Sequence, residues 1–489
     1  MKNIIFKIGM IVIGLVSSLS GSAYDFEVDG IAYNILSAGD LTCEVTVGES
    51  KYAGEVVIPS TVKFQNKELS VVKVGDKCFE KCTDLTSVQI PSSVTRLGSS
   101  SFYGCTGLTS VQIPSSVTSL GNNSFAGCTG LTSVQIPSSV EYIGSFCFSG
   151  CTGLTSVEIP SSVEKIESFC FSGCTGLTSV QIPSSVTKLG SSSFSGCTGL
   201  TSVEIPSSVE DIGGFCFSDC TGLTSVEIPS TVGRIDDRCF SGCTGLTSVR
   251  VYCYRIGELC FEKCTNLSSV YCNATKIGEG AFKGTGILDL TIGELVEFEG
   301  IKSLNVTFTD GIKKLVFEDR DTEIEDNDES SDWKLNELEY LYLGVSVGPL
   351  GLRCYESLKE LVLGPRVDKL GMGIYFYNTE YNNIGSYSNL ISLKSLNQIP
   401  PSIGKPTNLQ YVNIEVTVPE EALEAYKADP VWGSFWNLKG VSGTQTVSST
   451  SEREVTGYYD LSGRQVDESF SGMVIVRFSD GSAKKMMRR

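Results

Sequence analysis

The phrase Leu-Thr-Ser-Val-x-Ile-Pro, or a close relative, begins at Leu85, Leu108, Leu131, Leu154, Leu177, Leu200, Leu223 and Leu246, a fixed step of 23 residues. A period this regular constrains the architecture before any local propensity is weighed. One unit cannot bury its own apolar side chains, so copies must stack and bury them jointly. The unit reads most clearly from Cys151 to Gly173, CTGLTSVEIPSSVEKIESFCFSG. Leu154, Val157 and Ile159 fall at intervals of three and two, placing a strand's apolar side chains on one interior while Ser156 and Glu158 face out. Pro160 offers no backbone N–H to a ladder and ends the strand at the same register in every copy. Val163, Ile166, Phe169 and Phe171 form a second apolar set on the return side, and Gly173-Cys174-Thr175-Gly176 turns the chain back. The expected fold is a repeat solenoid of stacked parallel strands, β-rich with little helix. With strands about 4.8 Å apart, the eight regular coils build a face on the order of 40 Å long.

Two kinds of coil alternate irregularly. Those with Thr95, Thr118 or Thr187 after the valine carry Ser101, Ser124 or Ser193 before the repeated phenylalanine. Those with Glu141, Glu164 or Glu210 carry Phe-Cys-Phe instead, as in Phe146-Cys147-Phe148. The linked change reads as repacking of one interior pocket, bulk being exchanged between neighbours.

The 19 cysteines fall into columns. Cys82, Cys105, Cys128, Cys151, Cys174, Cys197, Cys220 and Cys243 recur at the 23-residue step, and Cys264 follows after 21. Cys78, Cys147, Cys170, Cys216, Cys239 and Cys260 form a second column, interchanged with serine and, at Ala281, alanine. Interchange with small residues points to a small buried side chain, which a free thiol supplies. Disulfide rungs and a thiolate metal array are the alternatives; the array lacks the paired Cys-x-x-Cys hairpins of thiolate sites, so no metal ligand is assigned.

The outward strand column reads Gln89, Gln112, Gln135, Glu158, Gln181, Glu204, Glu227 and Arg250, beside a file of serines from Ser87 to Ser248. A ladder of short polar groups is what a solvated sheet face looks like. It is also a periodic surface able to hold a repetitive partner through many weak contacts, which makes Gln135, Glu158, Gln181 and Glu204 candidate partner contacts. With 38 basic and 56 acidic residues the formal charge is −18, a field that repels nucleic acid and anionic membrane surfaces. Histidine is absent, which removes Ser-His-Asp and Cys-His catalysis and imidazole metal ligands. The periodic carboxylates lie on an open face without an apolar cleft to tune them, so no catalytic residue and no cofactor site is assigned.

The repeated phrase, Cys-Thr-Gly-Leu-Thr-Ser-Val-Glu-Ile-Pro-Ser-Ser-Val-Glu-Lys-Ile with a following phenylalanine, resembles the BspA-like leucine-rich repeats of bacterial surface proteins over about residues 56–284. The resemblance implies a leucine-rich-repeat solenoid in an exported, non-catalytic adhesin, several such proteins binding host matrix proteins or other bacteria.

The flanks divide the rest. Residues 1–23 carry Lys2 and Lys7, an apolar run from Ile8 to Val16, and small residues ending at Ala23, the order of a secretory signal peptide. Residues 24–77 read as an N-terminal cap, with a hairpin around Asp29-Gly30 and an imperfect strand copy at Glu55–Val62. The regular array occupies 78–284, and 285–440 continue it irregularly through Leu338–Gly344 and Leu358–Gly364. Within that part, the acidic run from Glu318 to Asp332 reads as a charged insertion loop; Asp326, Asn327, Asp328 and Glu329 lack the glycine and spacing of a calcium loop. Tyr375, Tyr377, Tyr381 and Tyr387 make the best non-repetitive contact candidates, although such stretches also serve as core. Val418–Lys427 reads as a short helix entered through Pro419, with Trp432, Phe435 and Trp436 as apolar bulk for a terminal cap; the phrase resembles the segment that closes many proteins of the same family.

Residues 441–454 form a Ser/Thr-rich linker. Residues 455–489 form a small β-rich segment that resembles the C-terminal sorting domain of type IX secretion substrates, with Met473-Val474 departing from that pattern. A final hairpin with a basic tail is the plainer reading. These features together predict a secreted or outer-surface binding protein whose partner is an extracellular protein or another cell surface, not membrane-spanning once the signal is removed. A structural spacer or stalk without a specific ligand is the alternative.

Overall fold

Each 23-residue repeat forms one three-sided coil, and along most of the array all three sides are tied to the next coil by backbone hydrogen bonds. The computed structural model describes residues 24–293, 312–319, 333–334, 337–344, 352–353, 357–368, 374–375, 390–402 and 414–442, and the strands Val455–Tyr459, Gln465–Val466, Gly472–Phe478 and Ala483–Arg488. The chain divides into two units. The first holds residues up to Ser268 and Ala274–Gly286; the second holds Ser269–Asn273 and most of the residues beyond Gly286.

In the first unit the front side is a parallel sheet built from Gly54–Val57, Leu85–Gln89, Ser110–Gln112, Ser133–Gln135, Ser156–Glu158, Ser179–Gln181 and Ser202–Val203. Val134 sits opposite Val157 and Val157 opposite Val180, so each residue meets its own counterpart one repeat away. Ser225–Ile228 and Ser248–Val251 pair in the same way. The back side is a row of two-residue strands, among them Lys165–Ile166, Lys188–Leu189, Asp211–Ile212, Arg234–Ile235, Arg255–Ile256 and Lys276–Ile277. On the third side, N–H groups of Phe146, Phe148 and Gly150 donate to carbonyls of Ser168, Cys170 and Ser172 in the following coil.

The interior is a set of columns. Leu154, Val163 and Phe171 are fully buried, and Val157 and Ile159 nearly so. Phe79, Phe102, Phe125, Phe148, Phe171, Phe194, Phe217, Phe240, Phe261 and Phe282 stack face on face, with centroids 5.1–5.5 Å apart. The glycine of each Cys-Thr-Gly turn follows from coil spacing: a Cβ at Gly153 would lie 2.5 Å from the Thr129 carbonyl oxygen. At the start, Phe26–Val28 and Ile31–Ser37 form the expected hairpin. Only Gly54–Val57 of the imperfect copy joins the front sheet; Thr61–Phe64 pairs antiparallel with Lys67–Val74 instead.

The second unit keeps the parallel front ladder through Ser269–Cys272, Asp289–Ile292, Lys314–Phe317, Tyr340–Leu343, Glu360–Leu363, Ser392–Ser395, Glu415–Pro419 and Asn437–Val441. Its outward column differs in the middle: Thr291, Val316, Tyr342 and Val362 are buried, whereas Tyr271, Lys394, Thr417 and Lys439 in the same column are not, so the central strands are covered on both faces there. Pro419 leads into a 3-10 turn, Glu420–Ala422, and the helix Leu423–Ala428. Tyr426 meets Trp432 edge-on at 5.0 Å, and Trp432 donates from Nε1 to the Pro401 carbonyl at 2.8 Å. Phe435 is buried as expected, but Trp436 is 77% exposed and adds nothing to that cluster.

The C-terminal segment is a four-stranded antiparallel sheet rather than a hairpin with a tail. Lys484 and Lys485 belong to the strand Ala483–Arg488, which pairs with Gly472–Phe478. Among the described residues no helix is long and apolar enough to cross a membrane.

Candidate functional site

The front face of the first unit presents the polar column foreseen from the repeat. Gln135 pairs in register with Glu158 and Glu158 with Gln181, and all three side chains are exposed, as is that of Glu204. Neighbours along the column can bond to one another, as Gln89 Nε2 does to Glu55 Oε1 at 2.9 Å. Beside the column runs a second ladder of exposed threonines. Thr155 Oγ1 donates to the Thr132 carbonyl at 3.3 Å, and Thr178, Thr201, Thr224 and Thr247 repeat the contact one coil further each time. The face is a regular grid of hydroxyl, amide and carboxylate groups, suited to many shallow contacts and without a cleft.

The cysteines are structural. Every described cysteine is buried and unbridged. In the main column the thiol donates to the phenylalanine carbonyl of the preceding coil: Cys151 to Phe125, Cys174 to Phe148 and Cys128 to Phe102, each at 3.1 Å. In the second column Cys147 Sγ lies 3.1 Å from Ser124 Oγ, and Cys216 Sγ 3.1 Å from Ser193 Oγ, which shows why serine and cysteine interchange there. Burial pushes the thiols of Cys128, Cys147 and Cys174 up to about 12, so they stay protonated and unreactive at neutral pH. No cluster of cysteine or acidic side chains among the described residues could hold a metal ion.

One expectation about the interior is corrected. The leading phenylalanine of Phe-Cys-Phe does not enter the core: Phe146, Phe169 and Phe215 are 37%, 36% and 43% exposed, while Phe148, Phe171 and Phe217 fill the buried stack. The leading residue takes a left-handed backbone, φ 59° at Phe146 and Phe169, and this turns its side chain outward. Only the serine–cysteine exchange beside it is an interior event. The missed signal was in the repeat itself, where the same position holds Lys77, Ser100, Asn123, Ser192 and Arg238.

Of the tyrosine candidates, Tyr375 lies in the strand Ile374–Tyr375, opposite Arg353. Tyr377, Tyr381 and Tyr387 lie outside the described residues, as do the signal segment and Asp326, Asn327, Asp328 and Glu329. At the edge of the acidic run, Tyr271 donates to Glu318 at 3.0 Å and Tyr342 to Asp319 at 2.7 Å. Burial, together with the bond to Asp319, raises the Tyr342 phenol.

The array matches a known repeat family. Residues 72–201 and 189–304 match the BspA type Leucine rich repeat region, in six copies. A leucine-rich repeat protein from Bacteroides ovatus is similar at 25% identity, covering 70% of this chain and 95% of its own, with a TM-score of 0.38. A leucine-rich cell surface protein from Faecalibacterium prausnitzii is similar at 24% identity, covering 76% and 97%, with a TM-score of 0.40. The pneumococcal vaccine antigen PcpA is similar at 18% identity, covering 85% and 96%, with a TM-score of 0.44. A search of curated proteins returns no match.

Proposed function

From the match of its repeat array to the BspA type leucine-rich repeat region over residues 72–304, we propose that the chain is a non-catalytic, secreted or cell-surface binding protein that acts as an adhesin. The observation that carries this reading is the front face of the first unit, where identical polar groups recur in register coil after coil and stay exposed. Such a face gains strength by multiplying weak contacts, and the partner that exploits it is itself extended or repetitive: a matrix protein or another cell surface. Export follows from the order of charge, apolar run and small residues in 1–23. The strands of 455–489 supply the β-rich segment that a type IX sorting role requires.

The test is binding of the purified protein to immobilised matrix proteins and to bacterial cells. Saturable binding that weakens when Glu158 and Glu204 are changed to lysine supports the reading; a flat response across the panel overturns it. The near-identity of the coils also favours a spacer without a ligand. In that case removing one 23-residue repeat changes the reach of the protein and leaves every binding signal unaltered.

A further inference from the structure

The exposed phenylalanines form a ladder with one rung of a different kind. Phe146 and Phe169 stack in adjacent coils at 4.4 Å with an interplanar angle of 3°. The next coil presents Ser192 at that position, and the coil after it presents Phe215. Arg238, one coil further on, places its guanidinium 5.9 Å from the Phe215 ring centroid. Phe169 is therefore covered on the side of Phe146 and Phe215 on the side of Arg238. The ring faces that remain look toward the Ser192 coil. Two coils at about 4.8 Å each separate the rings by about 10 Å, which leaves about 4.8 Å from each to the plane between them, within the usual range for stacked aromatic rings. Ser192 is only 8% exposed, whereas Ser100 and Asn123 at the same position are half-buried, as expected of a floor between two walls.

We propose that Phe169, Ser192 and Phe215 form a slot for one aromatic side chain carried on a basic segment of a partner protein. The repeat shows the fit of a ring, since at Phe146 and Phe169 the fold itself stacks one phenyl on the next. Charge selects the segment. The four coils from Cys151 to Gly242 carry ten acidic side chains, Glu164, Glu167, Glu210 and Asp211 among them, against Lys165, Lys188, Arg234 and Arg238, so the surroundings of the slot stay acidic even with Arg238 on the outer side of Phe215. The proposal rests on the adhesin reading only for the source of the ring.

The test uses the whole protein and the peptide acetyl-Lys-Tyr-Lys-amide, followed by saturation-transfer NMR. Transfer to the tyrosine ring protons is expected, with none to the leucine analogue acetyl-Lys-Leu-Lys-amide. Ser192→Phe fills the slot with the residue its neighbours already accept at the same backbone angle, and Phe215→Ser removes a wall; each weakens binding about tenfold. Lys77→Ser, at the same position of a distant coil, leaves it unchanged. Equal binding by wild type and Ser192→Phe, no transfer at all, or preference for methyl glucoside over the tyrosine peptide overturns the proposal. Adhesion to matrix proteins is scored separately, so its failure alongside retained tyrosine binding counts against the adhesin reading and not against the slot.

Discussion

At the scale of single residues, the repeat selects side chains by what the adjacent coil leaves room for. Gly153 has no space for a Cβ against the Thr129 carbonyl, so Gly153→Ala should cost about 1–3 kcal/mol in a denaturant melt. Cys174→Ala removes a thiol donor while the Phe148 carbonyl keeps its bond from the Cys151 N–H, so the loss should be about 1 kcal/mol. The thiols also predict a pH dependence. Their folded values lie above the unfolded value of about 8.5, so their contribution is complete below that pH and is lost as pH rises toward about 12. Each of these three thiols steepens the alkaline fall by about 1.4 kcal/mol per pH unit between the two values. Urea melts at about pH 8 and pH 10 should show that fall, and replacing Cys128, Cys147 and Cys174 by alanine should make it shallower; an unchanged slope would assign the effect elsewhere. The inward columns were legible in the sequence because a fixed step puts like residues on like. Phe146 was not, because two phenylalanines two apart look alike until the polar residues sharing the first position are counted.

At the scale of the coil, three independent hydrogen-bonded sides make each repeat interchangeable with its neighbours. Deleting residues 154–176, one whole period, joins Gly153 to Leu177 in the register that Gly176 now holds, so the shortened protein should fold with an unchanged circular dichroism spectrum per residue. Deleting about half of the same stretch should abolish that spectrum, because half a coil sets front strands against back ones. The parallel strands and the closing helix could be read from the sequence. The double burial of Thr291, Val316, Tyr342 and Val362 could not, since a Leu-x-Leu run looks the same whether one face or both are covered.

At the scale of the molecule, the proposed binding role rests on an acidic chain whose first unit carries a grid of exposed polar side chains. The candidate contact residues named from the repeat lie together on one face, whereas Tyr377, Tyr381 and Tyr387 fall outside the described residues. The most direct measurement is surface plasmon resonance of the intact protein over immobilised extracellular-matrix proteins, with wild type beside Glu158→Lys/Glu204→Lys. The predicted result is saturable binding by the wild type and at least a severalfold loss in the double variant. Identical sensorgrams for the two proteins, or no saturable response on any surface, would contradict a binding role for the solenoid face.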